Sequence, residues 1–190
     1  MGKVEEAREY YQPTSVIKYL LVAEAPPASF ERFFYYENVQ KYDGLFLETM
    51  KVLYLTEDCD PKFVRKNKKR LLEKFKEDGF FLIDAAPEPM PKGSNGRQKE
   101  AKLKASIEYL VDAMKWLEHK GLISSYTPVI LIATPVYNAC KGRLLEEGFN
   151  VVNTNPVPSA SFGKQKIFRK ELESIRNELQ IKPIDILACA

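Results

Sequence analysis

The chain has 190 residues, 45% of them apolar, which is enough for one domain with one hydrophobic core. Its 29 basic and 26 acidic side chains give a net charge of +3, which neither requires nor excludes a nucleic-acid partner. One histidine, His119, and three widely spaced cysteines exclude a multi-histidine metal cage and indicate neither zinc nor an iron–sulfur cluster, so we expect no metal and no cofactor.

The first half of the chain alternates strand and helix patterns after a charged start. The opening residues, MGKVEEAR, carry no apolar stretch, so we expect no signal peptide, and the sparse thiols fit a reducing cytoplasm. The apolar run Val16 to Ala23 predicts a buried strand, which the Pro26–Pro27 pair ends. Apolar spacing then predicts helices over Leu45 to Leu55 and Lys62 to Lys76, followed by a strand over Phe80 to Ala86.

The second half continues this alternation after a polar loop at Lys92 to Arg97. It predicts a helix over Glu100–Lys120, a strand over Val129–Ala133, a helix over Val136–Glu147, a strand over Phe149–Asn153 and a helix over Lys164–Leu179. The apolar end, Ile184 to Ala190, is expected to pack against the body of the protein. No window approaches about 18 consecutive apolar residues, so we expect no contact with a membrane interior.

Strands that alternate with helices, and that are apolar on both faces, predict a three-layer α/β/α sandwich with a central, mostly parallel four-stranded sheet. No repeat or linker composition interrupts the chain, so we expect a single domain over residues 1–190. In such sheets, ligands bind beyond the carboxyl ends of the strands. Each predicted strand ends in polar residues next to a proline, which favours stiff loops that hold side chains over a pocket.

Two carboxylates end predicted strands at this edge. Glu24 suits electrostatic or general-base work there, although a surface or helix-capping carboxylate is an equally good interpretation. Asp84 either shares acid and base roles with Glu24 or caps a loop. Four consecutive aromatics, residues 33–36, follow the first strand. We expect two of them in the core and at least one at a pocket, where its ring can stack on a base.

Three clusters of basic residues are candidates for phosphate contacts. The run Lys62 to Lys76 has eight basic residues against one acid, and a solvated helix face is its favoured interpretation. A second cluster spans Lys92 to Lys104. A third, Lys164 to Lys170, follows the loop after the fourth predicted strand and is better placed. Ser159 and Ser161 in that loop either cap the last helix or hold a phosphate at its N-terminus.

The order of these loops resembles the uracil-DNA glycosylase superfamily. Residues 20–27, LLVAEAPP, look like the G-E-A-P-G motif of its thermostable branch, and Phe33-Phe34-Tyr35 falls where a ring stacks on the flipped base. Residues 81–84, FLID, resemble the strand that ends in a base-reading Asn, and residues 155–159, NPVPS, look like the H-P-S loop before the final helix. The two motif glycines, the Asn, the histidine of H-P-S and the iron–sulfur cysteines are replaced or missing, so the chain looks closer to a divergent branch.

The resemblance implies a DNA glycosylase-like protein that binds single- or double-stranded DNA and excises or recognises a damaged or deaminated base. It makes Glu24 and Asn155 catalytic, with Glu24 stabilising the cationic sugar or orienting water. It assigns base binding to Ala25, Phe33, Phe34 and Asp84, and DNA binding to Ser159, Ser161, Lys164 and Arg169. The missing histidine leaves open a catalytically inactive nucleic-acid-binding relative, and an α/β enzyme for a small nucleotide is the remaining alternative.

Asp84 stands where that superfamily has an Asn, and this changes which bases fit. An ionised carboxylate only accepts hydrogen bonds, whereas an amide also donates them. Either burial protonates Asp84 or the bound base presents donors. The N1–H and N2–H₂ groups of guanine match one carboxylate, so we expect a pocket that binds a base through Asp84 to prefer a guanine-like edge to uracil.

Overall fold

The structure, a computed structural model, describes residues 3–29, 32–161 and 163–182. Its elements are, in chain order, α1 (Lys3–Tyr10), β1 (Tyr19–Ala23), α2 (Gly44–Tyr54), α3 (Pro61–Lys66), α4 (Lys68–Glu77), β2 (Phe80–Asp84), α5 (Gly96–Ala105), α6 (Ile107–His119), β3 (Val129–Leu131), α7 (Thr134–Glu146) and α8 (Gln165–Glu178). Among these residues, none of the helices combines the length and the apolar character needed to cross a membrane. The expected docking of Ile184 to Ala190 lies outside the described residues.

The sheet is parallel, with β1 at its centre between β2 and β3. The register places Ala23 opposite Asp84 and Val22 opposite Leu131, so the three strands end at the same edge. Both outer strands are buried throughout, as are the last four residues of β1, which is typical of strands covered on both faces. The prediction of a mixed α/β fold around a parallel sheet is therefore confirmed.

The prediction of a fourth strand over Phe149–Asn153 is wrong, because the sheet has three strands. Val151 of this segment forms a single bridge to Val129 of β3, and further along the chain Val157 forms another to Ile132, the residue after β3. Between these bridges the side chain of Asn153 replaces a strand backbone. Its Oδ1 accepts from Leu131 N at 2.7 Å, and its Nδ2 donates to Leu131 O at 3.0 Å. Because a side chain fills both hydrogen-bonding positions of Leu131, the ladder is interrupted there.

We expect Asn153→Ala to lower the free energy of unfolding by about 3 kcal/mol, because both backbone polar groups of Leu131 lose their partner inside the protein. Asn153 is only 1% exposed, so little water reaches these groups in its place. Urea unfolding measures the loss. Asn150→Ala is the matched control, since its exposed amide donates to Tyr126 O at 3.1 Å and its removal should cost less than about 1 kcal/mol. Equal losses in the two variants would contradict this role of Asn153.

Two predicted helices are each divided by a polar residue. Lys62–Lys76 becomes α3 and α4, separated at Asn67, and Glu100–Lys120 becomes α5 and α6, separated at Ser106. Asn67 donates from its side chain to Phe63 O at 3.0 Å, and such local bonds compete with those of a continuous helix. The other predicted helices form within two residues of their expected bounds. Helix α2 packs against α8, and α5 packs against α7, while the predicted three-layer arrangement stays a prediction.

The two cysteines in the described residues differ in chemical state. Cys140 is a buried free thiol, and burial raises its pKa to about 12. Cys59 is also buried but is disulfide-bonded. A reducing cytoplasm, which the sparse thiols predict, stays a prediction.

Candidate functional site

A cavity of about 260 Å³ opens beyond the carboxyl ends of the strands, where ligands bind in parallel sheets. Ala133, which follows β3, has a φ of +83° and turns the chain toward α7 beside the cavity. Such left-handed backbone is uncommon outside glycine and concentrates at functional sites. Six of the ten predicted site residues line this cavity, which we call the strand-end pocket: Glu24, Ala25, Phe33, Phe34, Asp84 and Ser159.

Glu24 comes directly after β1 and pairs with a cation from α5. Its Oε1 accepts from Lys99 Nζ at 2.8 Å, and both side chains line the strand-end pocket while staying partly exposed. Lys99 belongs to the second predicted basic cluster. The pair therefore sets a negative and a positive group side by side within reach of a bound ligand.

Asp84 is the last residue of β2 and is 5% exposed. Burial raises the pKa of its carboxyl to about 6, and the Arg8 guanidinium opposes this shift. Arg8, on α1, donates to Oδ2, whereas among the described residues no group donates to Oδ1. On a second side the carboxylate borders another cavity, of about 400 Å³, which Trp116 also lines. Asp84 is thus ionised above about pH 6, and one of its oxygens is left for a ligand.

The aromatic segment after β1 is held in place by a hydrogen-bonded tyrosine. The Tyr35 hydroxyl accepts from Leu82 N at 2.7 Å and donates to Leu82 O at 3.2 Å, which ties the segment to the edge of the sheet. Phe33 and Phe34 are buried and also line the strand-end pocket, which confirms that this segment contributes both to the core and to a pocket. The Arg8 guanidinium lies 5.7 Å from the centroid of the Phe33 ring.

A buried ion cluster behind the strand-end pocket was not predicted. Asp43 is 2% exposed and lines the pocket, and its Oδ1 accepts from Arg65 Nε at 2.9 Å. Lys68 is 1% exposed, with its Nζ 3.6 Å from Asp43 Oδ2 and 3.4 Å from the carbonyl oxygen of Phe33, to which it donates. Burial lowers the pKa of Lys68 to about 8, and Asp43 opposes that shift. Lys68 therefore links Asp43 to the backbone of the aromatic segment.

Four predicted site residues do not line the strand-end pocket. Asn155 is exposed, and its carbonyl oxygen is 3.5 Å from Asn153 Nδ2. Ser161 lies next to the pocket, with its Oγ 3.0 Å from that of Ser159. Lys164 is exposed at the start of α8. Arg169 binds two carboxylates, so its charge is used within the fold; they belong to Glu48 and Glu57.

Among residues 3–29, 32–161 and 163–182, no group of three acidic, histidine or cysteine side chains forms a metal-binding cluster. Comparison with protein-family models, with curated proteins and with solved structures finds no match to this chain.

Proposed function

We propose that this chain is a DNA glycosylase-like protein that binds DNA, takes one base into the strand-end pocket and excises it. The observation that carries the proposal is the joint position of Glu24, Asp84 and the aromatic pair at one cavity of about 260 Å³. Ligand pockets for larger molecules measure about 300–1,000 Å³, so this cavity suits a single flat ring. Helices on both faces of the sheet, as the alternation of strands and helices predicts, would leave this edge open to DNA.

The pocket residues take complementary roles in this proposal. A glycosylase extrudes the nucleotide, stacks its base and reads the base edge. The rings of Phe33 and Phe34 provide the stacking surface, and the free oxygen of Asp84 reads the edge. Glu24 stabilises positive charge on the sugar or orients the attacking water. Ser159 and Ser161 contact the DNA backbone beside the pocket.

The leaving base needs stabilisation that the missing histidine does not provide. Excision places negative charge on the departing base, which nearby cations stabilise in a site of low dielectric. Arg32 and Lys99 both line the strand-end pocket. We propose that these two cations take that electrostatic role.

The test is an excision assay on single- and double-stranded oligonucleotides that carry uracil, hypoxanthine or xanthine. Alkali cleaves the strand where a base has been removed, so strand breaks at the modified position support the proposal. An unmodified oligonucleotide of the same sequence is the control. If the protein neither cleaves nor binds these oligonucleotides, the proposal is contradicted and a small-nucleotide enzyme is favoured.

A catalytically inactive DNA-binding relative is the second candidate, and the position of Asn155 favours it. This residue, expected to be catalytic, is exposed and does not line the strand-end pocket. Tight binding that weakens with salt, without strand cleavage, would support this candidate over excision.

A further inference from the structure

A third cavity, of about 390 Å³, lies between the first basic cluster and residues 37–40. Its cations come from α3 and α4, where the break at Asn67 separates the two helices. We call it the basic cavity, and its basic residues are Lys62, Arg65, Lys66 and Lys69. The interpretation of this run as a merely solvated helix face does not account for four cations around one cavity.

Three of these cations have charges that the fold does not use. Within the described ranges, Lys62, Lys66 and Lys69 are exposed and take part in no ion pair. Other lysines of the same run do have partners: Lys68 pairs with Asp43, and Lys74 pairs with Asp78. The positive charges of the three unpaired lysines are therefore available to a ligand.

The acid that lines the basic cavity is already engaged. Glu37 Oε1 accepts from the Tyr11 hydroxyl at 2.5 Å. The ligand that suits the cavity is therefore an anion with several negative charges, because three unpaired lysines outnumber the one acid, while Arg65 is paired with Asp43.

The basic cavity and the strand-end pocket lie on either side of one ion pair. Arg65 lines the first and Asp43 lines the second, and Arg65 Nη2 is 2.9 Å from Asp43 Oδ1. The two cavities are therefore neighbours across this ion pair.

We infer that the basic cavity binds successive backbone phosphates of the DNA strand whose base occupies the strand-end pocket. This rests on the proposed function and adds a path for the strand across α3 and α4. Three unpaired lysines spread over two helices suit a chain of phosphates better than one phosphate ion. Free phosphate shares the same chemistry and is separated from the strand by the experiment below.

The test is the salt dependence of binding to a single-stranded oligonucleotide that carries the base the protein selects. Each phosphate contact contributes about 0.7 to the slope of log affinity against log salt for single strands. The triple variant Lys62→Gln, Lys66→Gln, Lys69→Gln is therefore expected to lower that slope by about 2. Its preference for the selected base over an unmodified base should stay unchanged, because the strand-end pocket is intact.

The control variant removes the same charge elsewhere. Lys3→Gln, Lys120→Gln, Lys182→Gln changes three exposed lysines that line neither cavity and belong to none of the three basic clusters. A slope equal in the two triple variants would overturn the inference while leaving base-selective binding, and hence the proposed function, in place. Absence of DNA binding in the unaltered protein would overturn both. Inorganic phosphate that displaces the oligonucleotide far better than chloride at equal ionic strength would instead show a discrete phosphate site and overturn the strand assignment.

Discussion

Glu24→Gln is expected to lower the rate of base excision by about 10²–10⁴-fold, the usual contribution of a positioned acid–base group. The substitution keeps the size of the side chain and its ability to accept from Lys99, but removes the negative charge. Without that charge, the cationic sugar loses its stabilising partner and the attacking water loses its base. DNA binding should not weaken, because the substitution removes a negative charge that repels phosphate.

Single-turnover rates with excess protein measure this effect, since they isolate the chemical step from product release. Glu100→Gln is the matched control. Glu100 lies on α5 next to Lys99, where its Oε1 accepts from Asn138 Nδ2 at 2.7 Å, and it does not line the strand-end pocket. An excision rate for Glu24→Gln equal to that of the control would show that Glu24 takes no part in the chemical step.

The parts of the fold that were predicted are those with local signals. Continuous apolar runs place β1, β2 and β3, because strands buried on both faces need apolar residues at every position. The helix α1 was not predicted, since its sequence KVEEAREY offers only Val4 and Ala7 for an apolar face and none of its residues is buried. It nevertheless matters for the site, because Arg8 reaches a carboxylate 76 residues away. The spacing of apolar residues in the sequence does not indicate a pairing between side chains so far apart in the chain.

The error at the fourth strand has a similar cause. Residues 149–153 carry an ordinary strand pattern, and nothing local shows that the side chain of Asn153 will take the place of backbone. The two hydrogen bonds of the Asn153 side chain depend on the position of Leu131, which the sheet fixes. Sequence patterns report which residues prefer a strand, whereas the ladder depends on where the neighbouring strand presents its polar groups.

Part of the candidate site could be predicted from the sequence, because one geometric rule places several of its residues at the same edge of the sheet. Parallel strands end at one edge, so residues at the ends of different strands converge there, and Glu24 and Asp84 do so, whereas Ser159 lines the pocket from the segment between α7 and α8. Lys68 was missed because a basic run usually indicates a solvated surface. Its spacing gave a usable signal, since it falls on the helical stripe of Leu71, Leu72 and Phe75, all of which are buried.

Asp84→Asn is expected to reverse the base preference of the strand-end pocket. In the unaltered protein above about pH 6 the carboxylate only accepts, so an oligonucleotide with guanine at the target position should bind more tightly than one with uracil. An amide at this position both donates and accepts and therefore matches uracil. Each matched edge is worth about 1–3 kcal/mol, so the ratio of the two affinities should change by about 10- to 100-fold or more.

The pH dependence of this preference follows from the same carboxyl group. Burial raises the pKa of Asp84 to about 6, so lowering the pH through 6 adds a proton and converts the acceptor into a donor. The preference for guanine should therefore weaken as the pH falls from 7.5 to 5, and Asp84→Asn should show no such change. Arg8→Gln removes the cation that opposes the upward shift, so its transition should move to higher pH. Fluorescence anisotropy across this pH range measures the affinity of all three proteins for the two oligonucleotides.

Equal affinities for guanine and uracil in the unaltered protein, unchanged in Asp84→Asn, would show that Asp84 does not read the base. A carboxylate and an amide cannot present the same hydrogen-bonding pattern to a base.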